Sequence, residues 1–363
     1  MKIEKERIQW IDLMESIAIY FVLFYHDKIY SIDILSSQAT FQMYILYYVQ
    51  TILATCVPLF LFVNGFLMFK KDFNLKKHLF KLIKLIILAY IWGSITLLFY
   101  MVLKNESFTL IEFILALVTW KQGYINHIWY IGALVCIYIL FPLLKTVYDN
   151  NRKIFIYFVI ICVLMTFGNT VLNELRTVLN VVILHNNSVS YNVNYFSIFN
   201  LFRGIRGYTF VYFCLGGLAN MYFDRISNSF LLKHQWIPLL TILFNCLGLF
   251  CVGVIYSKGS GSVWDVVWNG YDSIFTLANV LCIFILCLNY RSNNYLITQV
   301  SMNTLGIYFI HLLIISLAKP YFSKMHIPCN IFINILYTLS VLYLSLGLTL
   351  CLKKIPLLKK LVE

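Results

Sequence analysis

The sequence predicts an all-α membrane protein, a helical bundle of about ten transmembrane helices that forms a single domain over residues 1–363 with both termini in the cytoplasm. Hydrophobic residues make up 61% of the chain and charged residues 12%, whereas soluble domains average about 45–50% and about 25%. Apolar runs recur from residue 13 to residue 352, and a soluble fold has no surface that could hold them. We therefore expect a multi-pass protein of the cell membrane, embedded in the lipid bilayer, and exclude a soluble enzyme, a disordered chain and a nucleic-acid-binding module.

Ten of these runs have the length of a membrane-crossing helix, which is about 20 residues. They cover residues 11–30, 43–69, 79–103, 128–148, 154–172, 207–223, 235–256, 271–290, 301–318 and 330–352. One further apolar run, residues 108–120, is shorter and carries Glu112. We expect it to form an interfacial or re-entrant helix rather than a span.

The basic residues predict the orientation of the bundle. If the N-terminus lies inside, 19 of the 28 Lys and Arg residues fall in cytoplasmic segments and nine fall outside, which agrees with the positive-inside rule. Treating residues 108–120 as a span would move the basic segment 353–360 to the outside, against that rule. The longest outside segment is then about 173–206. It is polar and Asn-rich, and loops of this length are usually functional or mobile.

Cysteine and histidine spacing gives no sign of a disulfide framework or a metal site. Most of the ten cysteines lie inside apolar runs, where a thiol acts as a small hydrophobic group. No CxxC pair and no Cys/His set with zinc-ligand spacing occurs in the sequence. We expect no metal and no permanently bound cofactor.

The first predicted span carries the densest set of ionisable groups, Asp12, Glu15 and His26. Placing a charged group inside a bilayer costs free energy, so each such residue is expected to have a functional or structural role. Eleven residues make almost three whole helical turns, which places Glu15 and His26 on one face, about 16 Å apart along the axis. One interpretation is a general base facing a pathway across the membrane. The other is a carboxylate that caps the helix start, as we expect for Asp12, together with an interfacial histidine.

Five segments, in order along the chain, resemble the acyltransferase 3 family of integral membrane acyltransferases. The first is RIQWIDLMESIAIYFVLFYH, residues 7–26, which is similar to the family's opening span. The other four are similar to its Pro-Leu-Phe run before a Gly-Phe turn, its His-x-Trp-Tyr span, its Phe-x-x-Gly-Gly span and its Tyr-x-x-His span, and they occupy residues 57–71, 127–144, 208–220 and 303–315. The resemblance extends over about residues 7–350.

The resemblance implies transfer of an acyl group, usually acetyl, to a hydroxyl of a surface or lipid-linked glycan outside the cytoplasm, with acetyl-CoA or another acyl-CoA as the cytoplasmic co-substrate. It also implies that His26 is the catalytic histidine of the first span. The family has a basic residue eleven positions before that histidine, where this chain has Glu15. A carboxylate there would repel the CoA phosphates. Either another cation takes over, with Arg7, Lys81 and Lys84 as candidates, or the donor differs, or activity is lost.

Glu15 also keeps open a function of a different class. A non-catalytic relative of the same fold could pass a polysaccharide or a lipid across the membrane.

A covalent acyl-enzyme has no support, because Cys56, Cys214 and Ser301 have no detectable base partner in the sequence.

The resemblance points to two more catalytic histidines, His127 and His311, which lie towards the outer half of the predicted bundle, as His26 does. Three imidazoles at one end could converge on an acceptor hydroxyl, since His is suited to proton transfer near neutral pH. The alternatives are an interface anchor for His127 and Trp129 and a helix–helix hydrogen bond for His311.

Four further residues are candidate substrate contacts. Tyr130 belongs to the same motif as Trp129. Asn64 stands where the family usually has Ser, and its side chain can donate to a carbonyl or join two helices. Arg203 and Arg206 stand at the outer start of a predicted span, where they could bind an anionic glycan or a lipid phosphate, or act as solvated anchors.

Overall fold

The computed structural model describes residues 7–27, 32–186, 193–196, 206–325 and 330–363. The fold is all-helical, with 79% of residues in helices and no strand among the described residues. The predicted fold class is therefore confirmed at this level.

Seventeen helices follow one another along the described part of the chain. The first nine are α1 (Gln9–Asp27), α2 (Phe41–Leu53), α3 (Cys56–Lys70), α4 (Leu75–Lys104), α5 (Leu110–Val118), α6 (Trp129–Asn150), α7 (Arg152–Val163), α8 (Asn169–Val178) and α9 (Gly207–Met221). The other eight are α10 (Phe223–Ser227), α11 (Phe230–Lys233), α12 (Trp236–Ser260), α13 (Ile274–Leu288), α14 (Tyr295–Met302), α15 (Thr304–Lys324), α16 (Ile331–Lys354) and α17 (Pro356–Lys359). Two π-helical turns extend α7 and α8 into one helical segment, Arg152–Ile183.

Seven helical segments are long and apolar enough to cross a bilayer, so the chain is a multi-pass membrane protein. They lie over seven of the predicted spans: Phe41–Lys70, Leu75–Lys104, Trp129–Asn150, Arg152–Ile183, Trp236–Ser260, Thr304–Phe322 and Ile331–Lys354. The other three predicted spans fall on α1, α9 and α13, which are either too short or not apolar enough to belong to this group. The count of about ten spans therefore stays a prediction, as does the cytoplasmic location of both termini. The run at 108–120 forms the nine-residue α5, which is too short to cross.

The predicted orientation places the short connection between α3 and α4 in the cytoplasm. A cysteine introduced there by Asp72→Cys should react with a membrane-impermeant maleimide only after the cells are permeabilised. All ten native cysteines are first replaced by Ser to remove their background. Tyr195→Cys, in the predicted outside segment, is the positive control and should react in intact cells. Reaction of the cysteine at position 72 in intact cells would contradict the orientation.

The fifth predicted span is longer than expected. Its helix continues to Ile183, whereas the sequence predicts an end at residue 172 and a loop over 173–206. The polar residues behind that wrong prediction, Asn173, Glu174 and Thr177, are buried. Apolar side chains cover the opposite face and are exposed: Leu172, Leu175, Leu179, Val182 and Ile183. Such an inside-out helix suits a bilayer, because lipid covers the apolar face and the polar groups turn inward.

The helices group into two compact units. The main unit comprises Met1–Lys70 and Phe158–Glu363, and the inserted unit comprises Lys71–Tyr157. In the main unit α1 packs against α3, α14, α15 and α16, and in the inserted unit α4 packs against α6. The single domain over the whole chain stays a prediction.

Two glycines let α3 and α9 pack backbone to backbone. A Cβ on Gly65 would lie 1.9 Å from the carbonyl oxygen of Phe213, and one on Gly216 would lie 2.0 Å from the carbonyl oxygen of Phe62. Both distances are far inside van der Waals contact, so only glycine fits at either position. Membrane helices often gain close packing through small residues, because lipid offers no hydrophobic driving force between helices.

Gly65→Ala should force α3 and α9 apart, because the added methyl group meets backbone that cannot rotate away. Overpacking usually costs about 1–3 kcal/mol, and we expect the upper end of that range, measured as a lower melting temperature in detergent. Gly347→Ala is the matched control, since a Cβ at Gly347 meets nothing within 4 Å. Equal melting temperatures for the two variants would show that the close approach is not needed.

Candidate active site

Two of the three predicted catalytic histidines meet within the main unit. His26 lies in the last turn of α1 and His311 lies within α15, and these two helices pack together. The ring centroids are 5.5 Å apart with an interplanar angle of 45°. His311 is fully buried, and His26 is partly exposed. The two imidazoles therefore converge, while their catalytic role stays a prediction.

The hydrogen bonding of His311 assigns its tautomer. Its Nδ1 lies 3.2 Å from the carbonyl oxygen of Ile307. Since a carbonyl only accepts, Nδ1 carries the hydrogen and Nε2 presents a lone pair. That Nε2 is buried and has no hydrogen-bond partner within the described part of the chain, which is rare for a buried polar atom. It can accept a hydrogen bond or a proton from a neighbouring group.

Carboxylates fix the residues on either side of His26. Before it, the Tyr25 hydroxyl donates to Asp265 Oδ2 at 2.7 Å. After it, Asp27 Oδ2 accepts from the Thr338 hydroxyl at 2.6 Å. These bonds tie the last turn of α1 to α16 and to the connection between α12 and α13. Restraint from both sides holds the histidine in place, and correct positioning is what proton transfer in catalysis requires.

A second polar cluster occupies the opposite end of α1. Arg7 forms an ion pair with Asp12, with Nε 3.0 Å from Asp12 Oδ2, and its Nη2 donates to the Ser301 hydroxyl oxygen at 3.1 Å. That hydroxyl oxygen also lies 2.8 Å from Asp12 Oδ1 and 2.7 Å from Glu15 Oε2. Asp12, expected to cap the helix, is instead a buried carboxylate balanced by a cation, as buried charges require.

Glu15 and Arg7 therefore form no direct ion pair. Arg7 binds Asp12, which stands closer to it along the chain, and it reaches Glu15 through Ser301. A guanidinium has five N–H donors, and those on Nη1 of Arg7 make no hydrogen bond to any described residue. The side chain is 41% exposed. Arg7 thus keeps N–H donors on Nη1 that can bind an anion.

A polar cavity of about 300 Å³ lies in the main unit beside the connection between α12 and α13. Four aromatic and seven polar side chains line it: Tyr208, Tyr256, Trp264, Trp268, Asn169, Thr170, Asn173, Glu174, Arg206, Asn269 and Asp272. Arg206 and Trp268 lie at its exposed rim, whereas Glu174 and Tyr208 are buried. Polar groups converging in a concavity are typical of a binding site rather than of a packed core.

Arg206 is the one predicted site residue among these lining residues. Its guanidinium lies 4.5 Å from the centre of the Trp268 ring. Its backbone has a φ of 52°, in the left-handed region, and such uncommon conformations recur at functional sites. The two carboxylates, Glu174 and Asp272, were not among the predicted site residues. Glu174 lies just after the predicted span 154–172, and Asp272 lies at the start of the predicted span 271–290. An ionisable group at such a position is the signal by which the sequence could have pointed to them.

Two asparagines of α8 anchor part of the connection between α8 and α9 beside the cavity. Asn173 Nδ2 donates to the Val193 carbonyl oxygen at 2.7 Å, and its Oδ1 accepts from the Val193 amide at 2.8 Å. Asn169 Oδ1 accepts from the Tyr195 amide at 2.8 Å. The two side chains pair with the loop backbone, so residues 193–196 are held against α8.

The inserted unit holds five of the other predicted site residues, Lys81, Lys84, His127, Trp129 and Tyr130. His127 is buried, and Lys81 Nζ lies 4.7 Å from the centre of the Tyr138 ring. The convergence of His127 on the other two histidines stays a prediction, as does the approach of Lys81 and Lys84 to Glu15.

Two predicted residues remain. Asn64 is half-buried on α3 beside Gly65, and its role stays a prediction. Arg203 lies outside the described residues. Over the ranges that the structure describes, no group of three or more His, Cys, Asp and Glu side chains is placed to hold a metal ion.

Comparison with known proteins gives one match. A family model described as an acyltransferase domain, Acyl_transf_3, matches residues 8–354, nearly the whole chain. Searches of curated proteins and of solved structures gave no match.

Proposed function

Because the chain belongs to the acyltransferase 3 family, we propose that it moves an acyl group, in the first instance acetyl, from a cytoplasmic acyl-CoA to a hydroxyl of an extracytoplasmic or lipid-linked glycan. In this proposal it acts in the cell membrane and modifies a surface polysaccharide. The observation that carries the proposal is the pair His26 and His311, whose ring centroids lie 5.5 Å apart.

The reaction needs a base, because a sugar hydroxyl is a weak nucleophile until its proton leaves. We assign His26 as the general base, which takes that proton as the hydroxyl oxygen attacks the thioester carbonyl. A carbon–oxygen bond forms, the carbon–sulfur bond breaks, and the imidazolium returns the proton to the CoA thiolate. The lone pair on His311 Nε2 can accept an N–H of His26 and so stabilise the imidazolium. His127 is the third proposed member of this group.

The cluster at the other end of α1 suits the donor. CoA phosphates are anionic, and Nη1 of Arg7 can donate its two N–H groups to one of them. Ser301 has one hydrogen and cannot donate to Asp12 and Glu15 together, so one of its two short contacts requires a proton on a carboxyl group. Asp12 is already balanced by Arg7, and we therefore assign that proton to Glu15. A neutral Glu15 does not repel the donor, and Arg7 takes the place of the family's basic residue.

The ester content of the surface polysaccharide tests this function. Acetate released by mild alkali is measured in producing cells with the gene, without it, and with a restored copy. We expect loss of the ester on deletion and its return on restoration. The non-catalytic alternative predicts less polysaccharide at the surface with unchanged ester per sugar, and that result would overturn the proposal.

A further inference from the structure

We propose that the polar cavity lined by Glu174 and Asp272 binds a sugar residue of the acceptor. This inference rests on the proposed acyl transfer, and it adds where the acceptor binds. We call this site the acceptor cavity.

The size and shape of the acceptor cavity suit a small polar ligand. Its volume of about 300 Å³ lies at the lower end of the range for small-molecule sites, about 300–1,000 Å³. Trp268 is 39% exposed at the rim, and Glu174 is 7% exposed. The cavity therefore runs from an open aromatic edge to a buried carboxylate, and a ligand can enter it from the surface.

The two carboxylates have acceptor positions to spare. Glu174 Oε1 accepts from the Ser273 hydroxyl at 2.8 Å, and Asp272 lines the cavity beside it. Neither carboxylate forms an ion pair with any residue that the structure describes. A carboxyl group offers acceptor lone pairs in either protonation state, and about four of them when it is ionised. Their natural partners are donors such as the hydroxyl groups of a sugar.

The aromatic residues supply the apolar surface that a sugar ring also needs. Tyr256 and Trp264 stack with ring centroids 4.9 Å apart and 11° between their planes, and Trp268 adds a further ring at the rim. One face of a sugar ring carries mainly C–H groups, which pack on flat aromatic surfaces, while its hydroxyls point outward to polar groups. Carboxylates, amides and aromatic rings in one cavity provide both kinds of contact.

Arg206 adds hydrogen-bond donors at the rim. Its guanidinium lines the same cavity and lies over the Trp268 ring, and we assign it as a donor to sugar oxygens.

A hydrogen-bonded connection links the acceptor cavity to the catalytic pair. Asp265 Oδ2 accepts from the Tyr25 hydroxyl at 2.7 Å, and Asp265 Oδ1 accepts from the Trp268 amide at 3.0 Å. Tyr25 directly precedes His26. The segment that carries Trp264 and Trp268 is thus fastened to the end of α1 that carries the proposed base, which suits delivery of a sugar hydroxyl to His26.

The test separates acceptor binding from donor chemistry. Purified wild type, Glu174→Gln and Asp272→Asn are given acetyl-CoA and oligosaccharides cut from de-esterified surface polysaccharide of the producing cells, and thioester consumption is followed. We expect each variant to raise the KM for the oligosaccharide at least tenfold, with kcat and the acetyl-CoA Kd within threefold of wild type. Glu112→Gln, which changes an exposed carboxylate of α5, is the matched control and should behave as wild type.

Each other outcome overturns a defined part of the proposal. An unchanged KM in both variants, with active wild type, would remove the acceptor site. If both variants melt early, Trp268→Leu at the exposed rim replaces them, and a normal KM in that variant would overturn the site. Thioester consumption absent from folded wild type would instead defeat the proposed function.

Discussion

His26→Ala should abolish acylation of the surface polysaccharide while the protein stays folded in the membrane. Loss of a general base costs about 10²–10⁴-fold in rate, enough to take the ester below detection. The bonds from Tyr25 to Asp265 and from Thr338 to Asp27 do not involve the imidazole, so the last turn of α1 keeps its position. The measurement is ester per sugar at matched protein level, together with the acetyl-CoA Kd, which should stay the same.

His234→Ala is the matched control for this variant. His234 stacks on Phe230 with ring centroids 3.9 Å apart and has no proposed role, so its removal should leave acylation normal. His311→Ala should fall between the two, because His311 acts on the base and not on the hydroxyl. Near-normal acylation by His26→Ala would exclude His26 as the base.

Arg7→Gln should weaken acetyl-CoA binding by about ten- to a hundredfold. A hydrogen bond to a charged group contributes about 1.5–3 kcal/mol, and each 1.4 kcal/mol is a factor of ten in affinity. The loss should appear in the Kd rather than in kcat, because Arg7 and His26 lie near opposite ends of α1. Titration of acetyl-CoA into the purified protein measures it.

The other members of the cluster around Arg7 give a graded series. Asp12→Asn loosens Arg7 directly and should weaken acetyl-CoA binding severalfold, whereas Glu15→Ala removes only the contact to Ser301 and should have the smaller effect. Arg291→Gln, which changes an exposed arginine, controls for the lost charge. Equal affinity in folded wild type and Arg7→Gln would exclude Arg7 as the phosphate contact.

The helices and the histidine pair were predictable because each depends on local patterns. A run of about 20 apolar residues has few alternatives to a helix in a bilayer, and seven such helices lie where the sequence places them. His26 and His311 stand in two motifs that a family resemblance links. Their approach to 5.5 Å follows from the packing of α1 against α15.

The acceptor cavity was beyond the reach of the sequence because its lining comes from distant segments. Glu174 lies on α8, Tyr208 on α9 and Tyr256 on α12, and no local pattern joins them. The sequence also predicts a loop at Asn173 and Glu174, because polar side chains in an apolar chain usually mark the end of a span. Their burial becomes evident only when the helix is seen to continue to Ile183.

The partner of Arg7 was unpredictable for a related reason. Asp12 and Glu15 lie three residues apart on nearly the same helix face, so both are within reach of one cation. Arg7 binds Asp12 directly, and Ser301 on α14 contacts both carboxylates and links Glu15 to Arg7. The local sequence of α1 does not indicate that Ser301 contacts its two carboxylates.

Transfer across a sealed membrane tests the central claim most directly. Purified protein is reconstituted into liposomes that enclose acetyl-CoA with a radiolabelled acetyl group, and de-esterified oligosaccharide is added outside. We predict labelled ester on the external oligosaccharide with wild type and none with His26→Ala. Folded wild type that consumes no thioester and labels no oligosaccharide would contradict the account.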